Sequence, residues 1–340
     1  MAKTITTLEA LKKSATRYEK ELLIMPATSA GATLQHMTGM PGLLGNVVLG
    51  QLDGDAELGP YKSTRSADGN FTIAPRELEL FLGNCAYGFD PNDVWGTIYG
   101  SLVAQGESLK TVDVNKYILM FVAGKLGRKL NMAIWNAKRN ADGDTTKDLF
   151  NGFDTITATE ATAGNIATGK GNYMELSAAI DKTNAIDTFN AIYAAADDEL
   201  QGQKAKIYVS KDIYNAYNLN YQLLHGSLPY NTEFKKTFLE GTDNQWEFCP
   251  LASKKGSQYI HIAPQSNMVY GYGAGDNPGE RLAIEKYSSW KLTLEAAMAF
   301  GVQFRSLSPE MLMVAKLKGD AKLKSLGVEK LSGDLSELDH

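Results

Sequence analysis

Between Asp113 and Asn140 the chain reads DVNKYILMFVAGKLGRKLNMAIWNAKRN, its longest stretch with a sustained helical period. Val114, Ile118, Phe121, Val122, Leu126, Leu130, Ile134 and Ala137 recur at steps of three and four, so they fall along one stripe of a helix. Asp113 stands where an N-cap belongs. Lys125, Arg128, Lys129, Lys138 and Arg139 load the C-terminal end with the cations that a helix dipole favours. At ~1.5 Å per residue the rod is about 40 Å long, well beyond the usual ~11 to 12 residues. A rod of that length must be braced by other elements, and it dominates what the chain can fold into. Gly124 and Gly127 lie inside it at ~1 kcal/mol each relative to Ala, which predicts a bend or a close backbone approach. An ordinary long core helix accounts for the same pattern.

The 340 residues, 44% of them hydrophobic, suffice for a sizeable core in one large domain or two connected ones. A net charge of -5 supplies no global basic field, which excludes tight nucleic-acid binding by the whole molecule and leaves room for a local basic face. The opening MAKTITTLEALKKSATRYEK lacks the apolar core of a secretion signal, and no run reaches ~18 apolar residues. A soluble protein made in the cytoplasm is the expectation. Cys85 and Cys249 are far apart and read as reduced structural thiols, not a disulfide framework or a zinc cluster.

In chain order, Leu8, Leu11, Tyr18, Leu22 and Leu23 predict an amphipathic helix that ends before Pro26. TSAGATLQHMTGMPGLLG follows as an extended arm with little regular structure. Residues 45–52 and 70–82 are strand-like, and the polar DGDAELGPYKSTRSADG between them gives a long hairpin with an irregular tip. Pro75 confines the second strand to an edge or a bulge. An isolated two-stranded ribbon is marginal in water, so this one is expected to lie on another surface, using Val47, Val48, Leu49, Leu52 and Phe71.

Residues 84–110 read as turns and short helix, and FDTITAT as strand-like. A helix capped by Asp187, a strand at 205–210 and a helix at 211–224 capped by Ser210 or Asp212 make an α/β module. Strands are then predicted at 246–251, 259–263, 267–273, 281–287 and 290–305, followed by PEMLMVAKLK.

This order resembles the major capsid proteins of tailed double-stranded DNA bacteriophages, the Hong Kong ninety-seven fold. The local matches are LFNGFDTI (149–156), KIYVSKDIYNAYNL (206–219) and AMAFGVQFRSLSPEMLMVAKLK (297–318), in which Arg305 stands at the family's arginine position before the Ser308-Pro309 turn. The resemblance, which spans about residues 5–318, implies an α+β fold with an N-terminal arm at 1–44 and an extended hairpin loop at 45–82; the tail at 319–340 mixes charge with Gly and Ser and is expected to be flexible. It implies a peripheral domain at 83–171 and 286–318 carrying a spine helix at 113–140, and an axial domain at 172–285. The implied function is structural: self-assembly through hexamers and pentamers into an icosahedral head around phage or prophage DNA, in the virion after synthesis in the bacterial cytoplasm. Implied partners are further copies of the chain, a portal, and packaged DNA held non-specifically, with no membrane. No long acidic, coiled-coil-like segment precedes the arm, so a scaffolding protein, if used, is separate.

Chemical motifs are scarce. Gly271, Gly273 and Gly275 follow a strand but precede a turn, and the third glycine of a dinucleotide loop is missing from its place. Asp142, Asp144 and Asp148 lack the later Glu of a calcium loop. His36, His225, His261 and His340 are dispersed, and no Ser or Cys sits in a nucleophile motif. No catalytic, cofactor or metal site is therefore expected. Some relatives crosslink subunits through a Lys, an Asn and a Glu; Lys62 near the hairpin tip is the candidate Lys, without matching partners, and reads as a solvated cation. Two rival readings stand: an encapsulin-like compartment shell, told apart by gene neighbourhood, and a soluble α/β enzyme or ligand-binding protein, told apart by its size in solution.

Overall fold

The structure, a computed structural model, describes residues 31–54, 60–61, 71–89, 114–226, 237–275, 277–286 and 291–318. The helix expected at 8–24, Lys62, the connection before the long helix, and the tail with His340 lie outside them. The first elements are α1 (Gly31–Leu34), β1 (Thr38–Met40), β2 (Val47–Gly54), β3 (Phe71–Leu78), β4 (Phe81–Phe89), α2 (Val114–Asn136), α3 (Phe153–Thr162) and β5 (Tyr173–Glu175). Next come α4 (Ala185–Ala195), α5 (Asp198–Gln201), β6 (Ala205–Ser210), α6 (Lys211–His225), β7 (Trp246–Leu251) and β8 (Tyr259–Ala263). The last are β9 (Met268–Tyr272), β10 (Arg281–Lys286), β11 (Leu292–Phe304) and β12 (Met313–Lys316).

The described strands form two five-stranded sheets and a separate ribbon. In the first sheet β11 pairs antiparallel with β10, with β4 from Leu292↔Phe89 to Phe300↔Phe81, and with β9 from Phe300↔Tyr272 to Phe304↔Met268. β1 joins β9 in parallel. The second sheet runs β5-β12-β8-β6-β7. The ribbon is β2 with β3, in register from Val47↔Leu78 to Gly54↔Phe71.

Period-two alternation explains why the second sheet is covered on both faces. Tyr208 of β6 and Val314 of β12 share a core with Leu130, Ile134 and Trp135 of α2 and with Phe300 and Phe304 of the first sheet. Their neighbours Ile207, Val209, Met313 and Ala315 join Phe189 and Ile192 of α4 and Tyr217 of α6. The apolar stripe of α2 is thus braced from both sheets at its C-terminal half. Each large side chain so buried contributes roughly 1.5–3 kcal/mol.

Several expectations are corrected. The long helix stops at Asn136, because Lys138 N–H donates to Lys147 O and Asn140 N–H to Asp148 O, which turns the backbone away. Phe121 is 59% exposed, off the buried stripe. A Cβ on Gly124 would meet nothing within 4 Å, so Gly124 marks no close approach. FDTITAT is helical: Gly152 N–H donates to Ala137 O, and α3 buries Phe153 and Thr157 despite its β-branched residues. Residues 81–89 are a strand because β11 supplies a ladder partner. Thr38–Met40 of the arm is likewise paired in a sheet. Asn184, not Asp187, occupies the N-cap of α4, whereas Ser210 does cap α6 by accepting from Ile213 N–H.

Strand pairing also divides the chain differently from the expected 172–285 and 286–318 limits. β9 and β10 pair with β11 in the first sheet, while Met313–Lys316 crosses to the second, beside Tyr259–Ala263. The crossing follows a turn clamped by buried Asn267. Its Nδ2 donates to Ser306 O at 3.1 Å and Met311 O at 2.8 Å, and its Oδ1 accepts from Ser306 N–H at 2.7 Å. Arg305 donates its backbone N–H to Asn267 O across the same turn.

Candidate assembly surface

The ribbon is tied down at its base. Leu49 and Leu78 are buried against Val269 of β9, with Met40 and Leu43 of the arm alongside, so Leu49 is an intramolecular anchor rather than free surface. Asn46 Nδ2 donates to Glu77 Oε1 at 2.9 Å, and its Oδ1 accepts from Leu80 N–H at 3.0 Å. Arg76 is the strongest tie: Nε donates to Phe304 O at 3.1 Å, and Nη2 reaches both Glu160 Oε1 at 2.8 Å and Gln303 Oε1 at 3.1 Å. Gln303 Nε2 returns a bond to Glu77 O. Burial, the largest single influence on Glu160, pushes its carboxyl up, but Asn165 and Arg76 as donors, with the Arg76 and Lys170 charges, hold it below the usual carboxylate range. The ribbon therefore leaves the body at a fixed angle.

The ribbon also presents apolar surface to solvent. Val48, beside the anchored Leu49, is 64% exposed, and Tyr61, between the strands, is 94% exposed. Beneath α2 an open groove of about 870 Å³ runs along the first sheet; Leu126, Leu130, Leu294 and Met298 line it, with Arg128 and Lys129 among its walls. Among the described residues, ribbon and groove both leave apolar surface uncovered.

The chemical candidates remain separate. Gly271 lies within β9, and the turn after it uses Gly275 at φ 83°. Asp148 accepts from Thr145 N–H as part of a loop cap. Among the described residues no group of three His, Cys, Asp or Glu could hold a metal. Both cysteines are free, and burial pushes the Cys249 thiol up to about 12. The fold does bring His36 Nδ1 to 3.4 Å from Cys249 Sγ and 3.3 Å from Lys206 Nζ, a grouping that no spacing announced. Burial chiefly, then Lys206, keeps His36 below its ordinary pKa, so it packs as a neutral ring. The anchoring residues Arg76, Glu160, Asn46 and Asn267 carried no sequence signal either, since the partners that tie them across the fold are remote in the chain. Among the described residues no helix is long and apolar enough to cross a membrane.

No family model and no curated protein sequence matches this chain. Solved structures do. The capsid of a native GTA particle aligns over 84% of this chain and 90% of its own, at a TM-score of 0.57 and 15% identity. The capsid of cyanophage A-1(L) aligns over 86% and 92%, at 0.52 and 12%. The satellite phage P4 procapsid aligns over 85% and 96%, at 0.50 and 12%. The shared architecture is the Hong Kong ninety-seven fold.

Proposed function

We propose that this chain, built on the phage capsid fold, is a structural major capsid protein that self-assembles through hexamers and pentamers into an icosahedral shell around phage or prophage DNA. The observation that carries the reading is the β2–β3 ribbon, firmly anchored at its base yet paired with neither sheet. A lone two-stranded ribbon is marginal in water, so its outer part needs a surface beyond its own subunit.

In this reading the first sheet with α2 forms the peripheral domain, and the second sheet with α4 and α6 forms the axial domain. Arm and hairpin reach neighbouring subunits. The mechanism is geometric and turns over no substrate. A portal and a separate scaffolding protein are proposed partners, and DNA contact is local and non-specific, because the net charge of -5 gives no overall attraction. The particle is the proposed location, after synthesis in the bacterial cytoplasm. The named solved structures are phage and GTA capsids, which favours this reading over an encapsulin-like compartment. Electron micrographs and sedimentation of the purified full chain, alone and coexpressed with the scaffolding protein of its own gene cluster, test it. Closed shells are expected; a small soluble oligomer under both conditions would overturn it.

A further inference from the structure

A buried group of titratable side chains lies in the core between the long helix and the second sheet. Lys254 ends a short turn (Ala252–Lys254) between β7 and β8 and is 1% exposed. Its Nζ lies 3.7 Å from the centre of the Trp135 ring, 2.8 Å from His261 Nδ1 and 3.5 Å from Asp154 Oδ1. Asp154, in the first turn of α3, is 7% exposed. Asp154 Oδ1 is buried and accepts no hydrogen bond among the described residues. The rings of Trp135, Phe153 and Phe304 enclose the group, with Trp135 and Phe153 at 5.5 Å and Phe153 and Phe304 at 5.0 Å. His261 stacks on Phe304 and shares a 2.8 Å bond between its Nε2 and Thr157 Oγ1.

We propose that Lys254 and Asp154 become covalently joined within each folded subunit, by an amide bond from Lys254 Nζ to Asp154 Cγ with release of one water. This goes beyond the shell reading and does not depend on it. It is intramolecular, and it lies in the core rather than at the hairpin tip.

Three features favour the reaction over a lasting ion pair. Separated charges in such a site are costly, and geometry here does not repay them with a full set of hydrogen bonds. Burial is the main influence on all three groups: it pushes the Asp154 carboxyl up against the pull of Lys254 and Ser257, pushes the Lys254 amine down to about 8 against the pull of Asp154, and holds His261 neutral, with Lys254 adding to that effect. One proton moved from ammonium to carboxylate leaves a neutral amine facing a neutral acid, the pair that condenses. Proximity supplies the rest. Nζ is held 3.5 Å from Asp154 Oδ1 in a closed site, and groups kept together in this way react with effective molarities on the order of 10⁵–10⁸ M once nitrogen and carbonyl carbon align.

The Nζ lone pair attacks Cγ, and one Nζ proton passes to His261 Nδ1, which is free to accept when Nε2–H donates to Thr157. His261 then returns that proton to the departing hydroxyl, which leaves as water. The amide keeps one N–H, and no oxidant or co-reactant takes part.

Intact-mass spectrometry of the denatured, reduced full chain tests the bond. The mass is expected to fall short of the sequence mass by one water, and tryptic digestion should give one branched peptide joining Asp154 to Lys254, with no cleavage after Lys254. Lys254→Met, which preserves the apolar packing, should restore the full sequence mass. The natively folded wild-type chain at full mass, with Lys254 cleaved normally by trypsin, would overturn the proposal, and so would a water loss that maps elsewhere. The peptide map of the wild type decides the matter even where the variant fails to fold.

Discussion

Arg76 and Glu160 are 84 residues apart in sequence, and Arg76 Nη2 stands 2.8 Å from Glu160 Oε1, joining the hairpin to α3. Arg76→Met keeps the aliphatic stem but removes the donor from Glu160, Gln303 and the Phe304 carbonyl. The loss expected in denaturant unfolding of the subunit is about 1–3 kcal/mol. Shell yield should fall further than that, because the angle of the ribbon is released.

Acid should act on the same contact. A carboxylate held low in the folded state binds fewer protons there than in the unfolded chain, so stability rises with pH across that interval. The contribution of Glu160 is complete above the ordinary value of about 4.3 and is lost as pH falls below it. The unfolding free energies of the wild type and Glu160→Gln should therefore converge between neutral pH and about pH 3. A gap that stays constant would contradict the assignment.

Shortening the hairpin separates folding from assembly. Replacing residues 53–68 by an Asn-Gly turn retains Leu49, Leu78 and Arg76, and changes closure entropy by only ~1 kcal/mol. Circular dichroism and thermal unfolding of the subunit should stay nearly unchanged, while analytical ultracentrifugation should show shells lost.

Two glycines should respond with opposite signs. A Cβ on Gly152 would collide with the backbone carbonyl of Trp135 and lie 2.7 Å from that of Ile134, so Gly152→Ala should destabilise by at least ~1–3 kcal/mol. Gly124 faces open space within α2, and Gly124→Ala should stabilise the isolated subunit by ~1 kcal/mol. Thermal melts of both variants check the pair.

Asn267→Ala removes three bonds from the buried turn that carries the chain from β11 to β12. With the Ser306 and Met311 groups left unpaired, a loss of roughly 3 kcal/mol is expected. Hydrogen exchange should show the β12 amides opening first.

What was legible in the sequence was whatever repeats locally. The three-and-four spacing of Leu130, Ile134 and Ala137 marked the long helix, and the runs at 205–210, 246–251 and 259–263 marked strands whose bounds the structure reproduces. The order of these elements sufficed for the fold class. Periodicity reports which face of an element is apolar, but not what that face meets. FDTITAT became a helix because α2 offered a surface for Phe153, and Met313–Lys316 joined the second sheet because both of its faces are apolar and a gap beside β8 accepts it. Nothing in the sequence around Lys254 marks it for burial; the fold sets it over Trp135, 119 positions away, beside Asp154 and His261. Its burial, like the tie between Arg76 and Glu160, is a product of long-range packing, where the energy of a contact depends on both partners and only one of them is ever visible in a local stretch of sequence.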